Sequence, residues 1–359
     1  MTEMWVNMGP QHPMTHGLWN LRVKVDGEVV VDAEPQIGYL HRGIEKICEF
    51  RDFNQVIPQM DRLCYVSSLT WAHAYCVAVE ELMDVRCPER GEYLRVISLE
   101  LQRIASHLMW LAAYLTDLGL LTGLLYTLRE RELMLDLLQL LTGARMNQNY
   151  PRIGGVRNDM PDNFEKECVK ALDFLDRKLD EYEALCDDSK VFLMRTQGVG
   201  VLSREDAVNM GVTGPNLRGS DCDVDIRTHD PYSVYHKLDW EVAWEKDCDS
   251  YARYRVRMKE MRESSRLIRQ ALKDMPGGEF RVKAPTTAKG EAFRRTEDAR
   301  GEALMYVVGD GSERPYRLKI RSPIFVSVSA APRILKGEKI ADVVSIMGSI
   351  DMCVGEMDK

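Results

Sequence analysis

The feature that most restricts the fold of this sequence is a long apolar run from 104 to 128, in which Asp117 alone carries a formal charge. A helix of this length could cross a bilayer. A carboxylate near the middle of such a span is costly in lipid, and Gly119 lies two residues further on. We therefore predict two buried helices that meet near Asp117–Gly119, covered by other helices of the chain or by partner subunits.

The composition narrows the class of protein. The chain has 359 residues, which is enough for one large domain or two ordinary ones. With 45% hydrophobic and 29% charged residues, it is typical of a globular protein and unlike a disordered or collagen-like one. The net charge of -8 disfavours a general nucleic-acid binder, which is usually basic.

The nine cysteines have irregular spacing, and no two of them form a CxxC motif. The first residues of the sequence lack the basic and apolar segments of a secretory signal. We therefore expect a reducing, cytoplasmic compartment and no disulfide framework. We also expect no iron–sulfur cluster or zinc ribbon held by this chain alone.

Local patterns predict a mainly α chain with small β elements, which is an α+β fold class. Asp26-Gly27 between two apolar segments predicts an N-terminal β-hairpin. Helical periodicity dominates from about 42 to 145, with interruptions at Pro58 and Pro88. Further helices are predicted at about 163–186, 250–275 and 340–347, and paired strands at 302–328 around a turn at Asp310-Gly311.

We predict a single domain over residues 1–359. Its parts are a β-hairpin region at 1–35, a helical core at 42–275, and a C-terminal β region with a tail at 300–359. The helix predicted at 163–186 carries one apolar stripe, made of Phe164, Cys168, Leu172, Leu175 and Leu179.

Three short motifs are informative because of their order along the chain: RGIE at 42–45, RLCYVS at 62–67 and DMCVGE at 351–356. They resemble the RGxE, RxCxxC and DPCxxC motifs of the large subunits of [NiFe] hydrogenases. This resemblance implies a hydrogenase large-subunit-like helical bundle.

The two cysteine motifs are each incomplete. Cys64 and Cys353 hold the first position, whereas Ser67 and Glu356 stand where the second cysteine would be. A [NiFe] centre needs four thiolates, because soft sulfur ligands hold these metals. We therefore predict no working [NiFe] site and no metal bound by this chain. Cys64 and Cys353 are interpreted as small buried side chains, with a metal-binding pair as the alternative.

Longer segments make the chain similar to the 49 kDa subunit of respiratory complex I, also called its D subunit, over nearly its whole length. They include GPQHPMTHG at 9–17, IGYLHRGIEK at 37–46, LTGARMNQNYPRIGGVRNDMP at 141–161 and SIDMCVGEMDK at 349–359. In that family the subunit forms the chamber in which a lipid-soluble quinone is reduced, or methanophenazine in methanogens.

The resemblance implies roles for three residues in acceptor reduction. His16 and Tyr65 hold the positions of the family's headgroup pair, and both can donate a hydrogen bond and a proton. Asp117 matches the carboxylate that orients this histidine. The alternative for Asp117 is that it caps the second of the two buried helices. The alternative for a loop histidine is that it stabilises a turn.

Arg62 matches the arginine that lies against the terminal [4Fe–4S] cluster of the neighbouring small subunit, where a fixed cation tunes the cluster potential. The alternative is an ordinary salt bridge with Asp61 or Glu80. The resemblance further implies that the acceptor chamber is lined by His12, Ser67, Cys64 and Cys353.

One position departs from the family. Many homologues carry a histidine near the cluster, which couples its redox state to protonation, and Asn147 occupies that position here. An amide does not titrate, so we predict a cluster potential with a weaker pH dependence.

The implied function is that of a peripheral-arm subunit in a complex I-like membrane oxidoreductase coupled to ion translocation. The retained cysteines resemble those of the F420H2 dehydrogenase branch of methanogenic archaea.

The expected partners are the small Fe–S subunit, other peripheral-arm subunits and membrane-arm subunits. The chain is expected at the cytoplasmic face of the membrane, and no nucleic acid is expected as a partner. The chain itself is expected to bind no cofactor. The alternatives are a [NiFe] hydrogenase or sulfur reductase, and a non-catalytic scaffold.

Overall fold

The computed structural model describes residues 3–9 and 18–359. An antiparallel sheet of order β1-β2-β3 opens the chain. Its strands are β1 (Met4–Met8), β2 (Asn20–Asp26) and β3 (Val29–Gln36). The predicted hairpin is therefore confirmed, and Gly27 makes its turn with a φ of 65°, a left-handed conformation that glycine adopts without strain. The strand β1 adds a third member at the edge.

The central helices are α1 (Ile44–Cys48), α2 (Phe53–Asp61), α3 (Ser68–Leu82), α4 (Glu89–Asp117) and α5 (Leu121–Thr142). The prediction of two buried helices that meet at 117–119 is confirmed, since α4 ends at Asp117 and α5 begins at Leu121. The 29 residues of α4 are almost all buried, because α3, α5, α11 and α14 pack around it. Within the described ranges, we find no helix long and apolar enough to span a bilayer.

The prediction that Pro58 interrupts a helix is wrong, because Pro58 lies inside α2. An internal proline costs about 3 kcal/mol. In α2 that cost is outweighed by the burial of four apolar side chains at about 1.5–3 kcal/mol each. A capping box between Asp52 and Gln55 also satisfies the first backbone amides of the helix. Pro88, by contrast, stands directly before α4 as predicted.

The middle of the chain contains short elements between two long helices. Residues 147–163 include the small hairpin β4 (Pro151–Arg152) and β5 (Gly155–Val156). The helices that follow are α6 (Phe164–Asp187), α7 (Lys190–Thr196), α8 (Arg204–Asn209), α9 (Pro215–Arg218), α10 (Ile226–His229) and α11 (Ser250–Asp274), with a 3-10 turn at Tyr235–Lys237. The predicted apolar stripe of α6 is buried in the core.

The C-terminal region holds a second antiparallel sheet of order β6-β7-β8. Its strands are β6 (Lys289–Asp298), β7 (Gly301–Asp310) and β8 (Pro315–Arg321). The turn predicted at Asp310-Gly311 is confirmed. The strand β6 was not predicted from the sequence, because its many charged residues hide the alternation typical of a strand.

The strand prediction for 323–328 is wrong, because this segment is helical. Ser322 accepts a hydrogen bond from the Ile324 amide and Pro323 occupies the first turn, both of which favour a helix start. The helices here are α12 (Pro323–Ser329), α13 (Ala331–Leu335), α14 (Val343–Ser349) and α15 (Val354–Asp358). A 3-10 turn at Ile340–Asp342 directly precedes α14. The predicted helix near 340–347 is confirmed.

The predicted α+β class is confirmed, with about 52% helix and small antiparallel sheets near both ends. Buried apolar side chains form three clusters. The first joins α4, α5, α6 and α11, and the second packs the N-terminal sheet against the C-terminal helices. The third lies between α2, α3 and the sheet β6-β7-β8, and it includes Cys64 and Cys353. This third cluster positions the site described below. The single-domain organisation stays a prediction.

Candidate functional site

The first element of the site is the connection between α2 and α3, residues 62–67. The exposed Arg42 binds this connection through its Nη1, which donates to the carbonyl of Arg62 at 2.8 Å. Its Nη2 donates to the carbonyl of Gly355, in the C-terminal segment, at 2.9 Å. One guanidinium therefore ties two segments together that lie almost 300 residues apart. This contact explains why the RGIE and RLCYVS motifs occur together.

The second element is the C-terminal segment 351–359. The backbone amide of Leu40 donates to a carboxylate oxygen of Asp358 at 2.8 Å, which fastens the end of α15. Gly355 lies against the α2–α3 connection so closely that an added Cβ would be 2.8 Å from the Leu63 carbonyl oxygen and 3.4 Å from Cε1 of Tyr65. The absence of a side chain at Gly355 is what permits this approach.

The third element is the tight turn between β6 and β7. Asp298 accepts from the Arg300 backbone amide at 3.1 Å and from the Ser67 hydroxyl at 2.6 Å. The buried guanidinium of Arg300 donates to Oδ1 of Asp351 at 3.1 Å and to Sγ of Cys64 at 3.5 Å. The turn therefore contacts both cysteine motifs at once.

These elements bring Cys64, Cys353 and Glu356 together. Their ligand atoms all lie within 4.8 Å of one another, and the three residues are buried. Burial raises the pKa of the Cys64 thiol well above its usual range, and Cys353 adds to this effect. Burial likewise raises the pKa of Glu356, with Cys64 and Asp298 raising it further. Without a bound cation, the cluster therefore favours protonated, neutral side chains.

Tyr65 lies at the outer side of this cluster. Its side chain is 40% exposed, whereas Cys64 beside it in the chain is fully buried. The partial burial of the phenol raises its pKa above the usual range, and the nearby Cys353 and Cys64 raise it further. The phenol therefore stays protonated near neutral pH and can donate a hydrogen bond or a proton.

Of the predicted site residues, the structure brings Tyr65, Cys64 and Cys353 together. Ser67 is also buried, and its hydroxyl donates to Asp298, which lies near Cys64. His12 and His16 lie outside the described residues. Asp117 is the last residue of α4 and is partly exposed. The N-cap position of α5 is occupied by Leu120, so Asp117 does not stand at the cap that the alternative assigned to it.

Arg62 is exposed, and its Nη1 donates to the carbonyl of Pro58 at 2.8 Å. The structure gives no support to the alternative in which Arg62 pairs with Glu80, because Glu80 accepts from Nη1 of Arg95 at 3.0 Å. Asp61 is buried, and this burial raises its pKa to about 7 despite the opposing effect of Arg62. The guanidinium of Arg62 is therefore presented at the surface.

Four polar residues that support the site were not predicted from the sequence: Asp298, Arg300, Ser106 and Ser322. Arg300 Nη1 also donates to the Ser106 hydroxyl at 3.3 Å, and the Ser322 hydroxyl donates to Glu356 at 3.0 Å. Asp298 and Arg300 could have been noticed in the sequence, because the EDAR segment at 297–300 places three charges directly before an apolar strand.

A buried network of charges borders the site on the side of α4. Arg103 donates to the carbonyls of Glu297 at 2.8 Å and Asp298 at 3.0 Å. Arg218 donates to the Glu297 carboxylate at 2.7 Å and also pairs with Asp225. Burial, together with the Asp225 charge, raises the pKa of Glu297 to about 7. Burial alone would raise the pKa of Asp225 too, but Arg227 and Arg218 hold it down to about 2.

The chain is similar to known proteins over its whole length. Residues 117–289 and 283–359 match the family described as the 49 kDa subunit of respiratory-chain NADH dehydrogenase. The D subunit of NADH-quinone oxidoreductase from Dehalococcoides mccartyi is 48% identical over 363 residues, which cover 100% of this chain and 99% of the relative. The chain belongs to the 49 kDa subunit family.

Other members of the 49 kDa subunit family are similar over the same extent. The D subunit of NADH-quinone oxidoreductase from Desulforamulus reducens is 46% identical over 359 residues, covering 99% of this chain and 98% of the relative. The corresponding protein of Bacillus mycoides is 44% identical over 360 residues, with the same coverage. The predicted relationship to the 49 kDa subunit of complex I is confirmed, and as a member of this family the chain is an oxidoreductase subunit. These three relatives are bacterial.

Proposed function

We propose that this chain is the acceptor-site subunit of a complex I-like membrane oxidoreductase. Together with the neighbouring Fe–S subunit, it would form the site where a quinone or methanophenazine is reduced, coupled to ion translocation. The observation that carries the proposal is the position of Tyr65, a protonated and partly exposed phenol near the buried Cys64 and Cys353. An exposed donor on a rigid, buried base is suited to binding an acceptor that a second subunit encloses.

Tyr65 would donate a hydrogen bond, and then a proton, to one carbonyl oxygen of a quinone or to one ring nitrogen of methanophenazine. His16 is proposed as the donor to the second acceptor atom, with Asp117 orienting its imidazole and raising its basicity. His12, Ser67, Cys64 and Cys353 are proposed to line the same chamber. Reduction of a quinone takes two electrons and two protons, which is why two proton donors are useful.

Arg62 is proposed to lie against the terminal [4Fe–4S] cluster of the partner subunit. Its exposed guanidinium is accessible to a partner, and a fixed cation there would raise the cluster potential. Arg62 and Tyr65 belong to the same short connection, so one element would contact the electron donor and the acceptor. This arrangement would shorten the distance that electrons travel between them.

The class of the complex is proposed from two observations that favour different branches. The relatives reported above are named as the D subunit of NADH-quinone oxidoreductase, which favours quinone as the acceptor. The retained Cys64 and Cys353 favour an F420H2 dehydrogenase that reduces methanophenazine. In both cases the partners would be the small Fe–S subunit, other peripheral-arm subunits and membrane-arm subunits, with the chain at the cytoplasmic face of the membrane as a peripheral subunit.

The test is Tyr65→Phe in the assembled complex, which removes the hydroxyl and keeps the ring. We expect reduction of the acceptor to fall by about 10²-fold or more, while reduction of the Fe–S clusters by the electron donor continues. Tyr316→Phe is the matched control, because Tyr316 is 68% exposed on β8 and its hydroxyl should not matter. Unchanged acceptor reduction in Tyr65→Phe would favour a non-catalytic scaffold.

A hydrogenase or sulfur reductase is the competing function, and it makes a different prediction. A [NiFe] hydrogenase requires stoichiometric nickel, whereas the two cysteines of these motifs are too few for the four thiolates of that centre. Nickel analysis of the purified complex, combined with an assay of hydrogen uptake, separates the two functions. We expect neither nickel at stoichiometric amounts nor hydrogen uptake.

A further inference from the structure

Cys64, Cys353 and Glu356 form a cluster of metal-ligating side chains, which we call the Cys-Cys-Glu cluster. One ligand atom from each residue lies within 4.8 Å of the other two. A tetrahedral ion bound at about 2.0–2.3 Å from each ligand separates its ligands by about 3.3–3.8 Å. The largest separations would therefore have to contract by about 1 Å for the three ligand atoms to surround one ion.

The surroundings of the cluster are those of a supported metal site. The Ser322 hydroxyl donates to Oε1 of Glu356 at 3.0 Å, and this holds the carboxyl group in one orientation. The second oxygen, Oε2, is fully buried without a hydrogen-bond partner in the described part of the chain. An unpaired buried polar atom is costly, and a metal ion would satisfy it.

Arg300 supplies a further contact of the kind found around thiolate ligands. Its Nη1 donates to Sγ of Cys64 at 3.5 Å, and its Nη2 is paired with Asp351. Two thiolates and one carboxylate bring three negative charges against the two positive charges of a divalent ion. The hydrogen bond from the guanidinium would stabilise Cys64 as a thiolate ligand.

The ligand types decide which ion is suitable. Thiolates select zinc over magnesium, calcium or manganese, and a carboxylate oxygen is also a common zinc ligand. Three protein ligands leave a fourth tetrahedral position for a water molecule. We propose that Cys64, Cys353 and Glu356 bind one Zn²⁺ ion.

Zinc does not change its oxidation state, so the ion would not itself carry electrons. It would link the α2–α3 connection to the C-terminal segment, next to Tyr65 and Gly355. Because the three ligands come together only when the chain is folded, binding of the ion would stabilise the folded state. The proposal does not depend on the identity of the acceptor or on the proposed function.

The test uses the full chain, purified under reducing conditions, stripped with a chelator and then titrated with Zn²⁺ alone. Native mass spectrometry should show one retained ion, with an increase in melting temperature. Cys353→Ser and Glu356→Gln should each weaken retention by at least about 10-fold. Cys168→Ser is the matched control and should retain the ion like the unsubstituted chain, because Cys168 is a buried cysteine of α6 in another cluster.

A second measurement needs no substitution and so avoids variants that fail to fold. Co²⁺ in place of Zn²⁺ should produce the charge-transfer absorption of thiolate-bound cobalt. The proposal is wrong if the reduced chain shows no such absorption and retains no zinc. It is also wrong if Cys353→Ser and Glu356→Gln retain zinc as well as the control does. A Cys64–Cys353 disulfide that persists under reducing conditions, detected by intact mass, would likewise contradict it.

Discussion

Arg300 and Cys64 are in direct contact, with the guanidinium Nη1 3.5 Å from the cysteine Sγ atom. The same guanidinium is paired with Asp351, which begins the second cysteine motif. The turn between β6 and β7 thus joins two motifs that the chain separates by almost 300 residues. Because all these groups are buried, the geometry around Tyr65 depends on a residue outside both motifs.

We expect Arg300→Ala to destabilise the chain by about 3–5 kcal/mol, because it leaves the buried Asp351 carboxylate without its cationic partner. Chemical denaturation of the isolated chain measures this loss. Arg314→Ala removes an exposed arginine in the loop before β8, and it should change the free energy of unfolding by less than about 0.5 kcal/mol. Equal stability of the two variants would contradict the central role of Arg300.

Gly355→Ala should destabilise the chain by about 1–3 kcal/mol, because the new Cβ would be 2.8 Å from the Leu63 carbonyl oxygen. The clash lies next to the Tyr65 ring, so acceptor reduction by the assembled complex should fall as well. Gly277→Ala is the control, since a Cβ at Gly277 meets no atom within 4 Å. The two variants are compared by melting temperature and by acceptor reduction. Wild-type values for both quantities in Gly355→Ala would contradict the close approach.

The stability of the chain should depend on pH through Glu297. Its pKa is raised from 4.5 to about 7 by burial and by the Asp225 charge. A raised pKa means that the folded state binds the proton more tightly than the unfolded state does. The stabilisation is therefore complete below about pH 4.5 and is lost as the pH rises through about 7.

Glu297→Gln keeps the shape of the side chain and cannot ionise. The unfolding free energy of the wild type minus that of the variant should fall by about 3 kcal/mol between pH 4.5 and 8. Denaturant unfolding at several pH values measures this difference. A difference that stays constant across this range would show that folding does not raise the pKa of Glu297.

Asn147 leads to a prediction about the partner's cluster. Because an amide does not titrate, the potential of the terminal [4Fe–4S] cluster should depend only weakly on pH. Asn147→His should introduce a steeper dependence, since an imidazole titrates near neutral pH. Redox titration of the assembled complex at several pH values tests both statements. A steep slope in the unsubstituted complex would contradict the prediction.

Several elements could be predicted because their signals are local in the sequence. The hairpin at Asp26-Gly27 follows from turn chemistry, and the helix boundary at Asp117–Gly119 follows from one charge and one glycine in an apolar run. The stripe of α6 follows from helical periodicity. Pro58 and the segment 323–328 were predicted wrongly, because burial in α2 and capping by Ser322 outweighed the local preferences there.

The sequence by itself determined the α+β class and the family, and it identified Tyr65, Cys64 and Cys353 as candidate site residues. Only the tertiary structure decided that Glu356 joins the two cysteines and that Arg300, Asp298 and Ser322 support them. The physical reason is the range of the interactions. Periodicity and turn chemistry act over a few residues, whereas the pairing of buried charges depends on segments that meet only when the chain is folded.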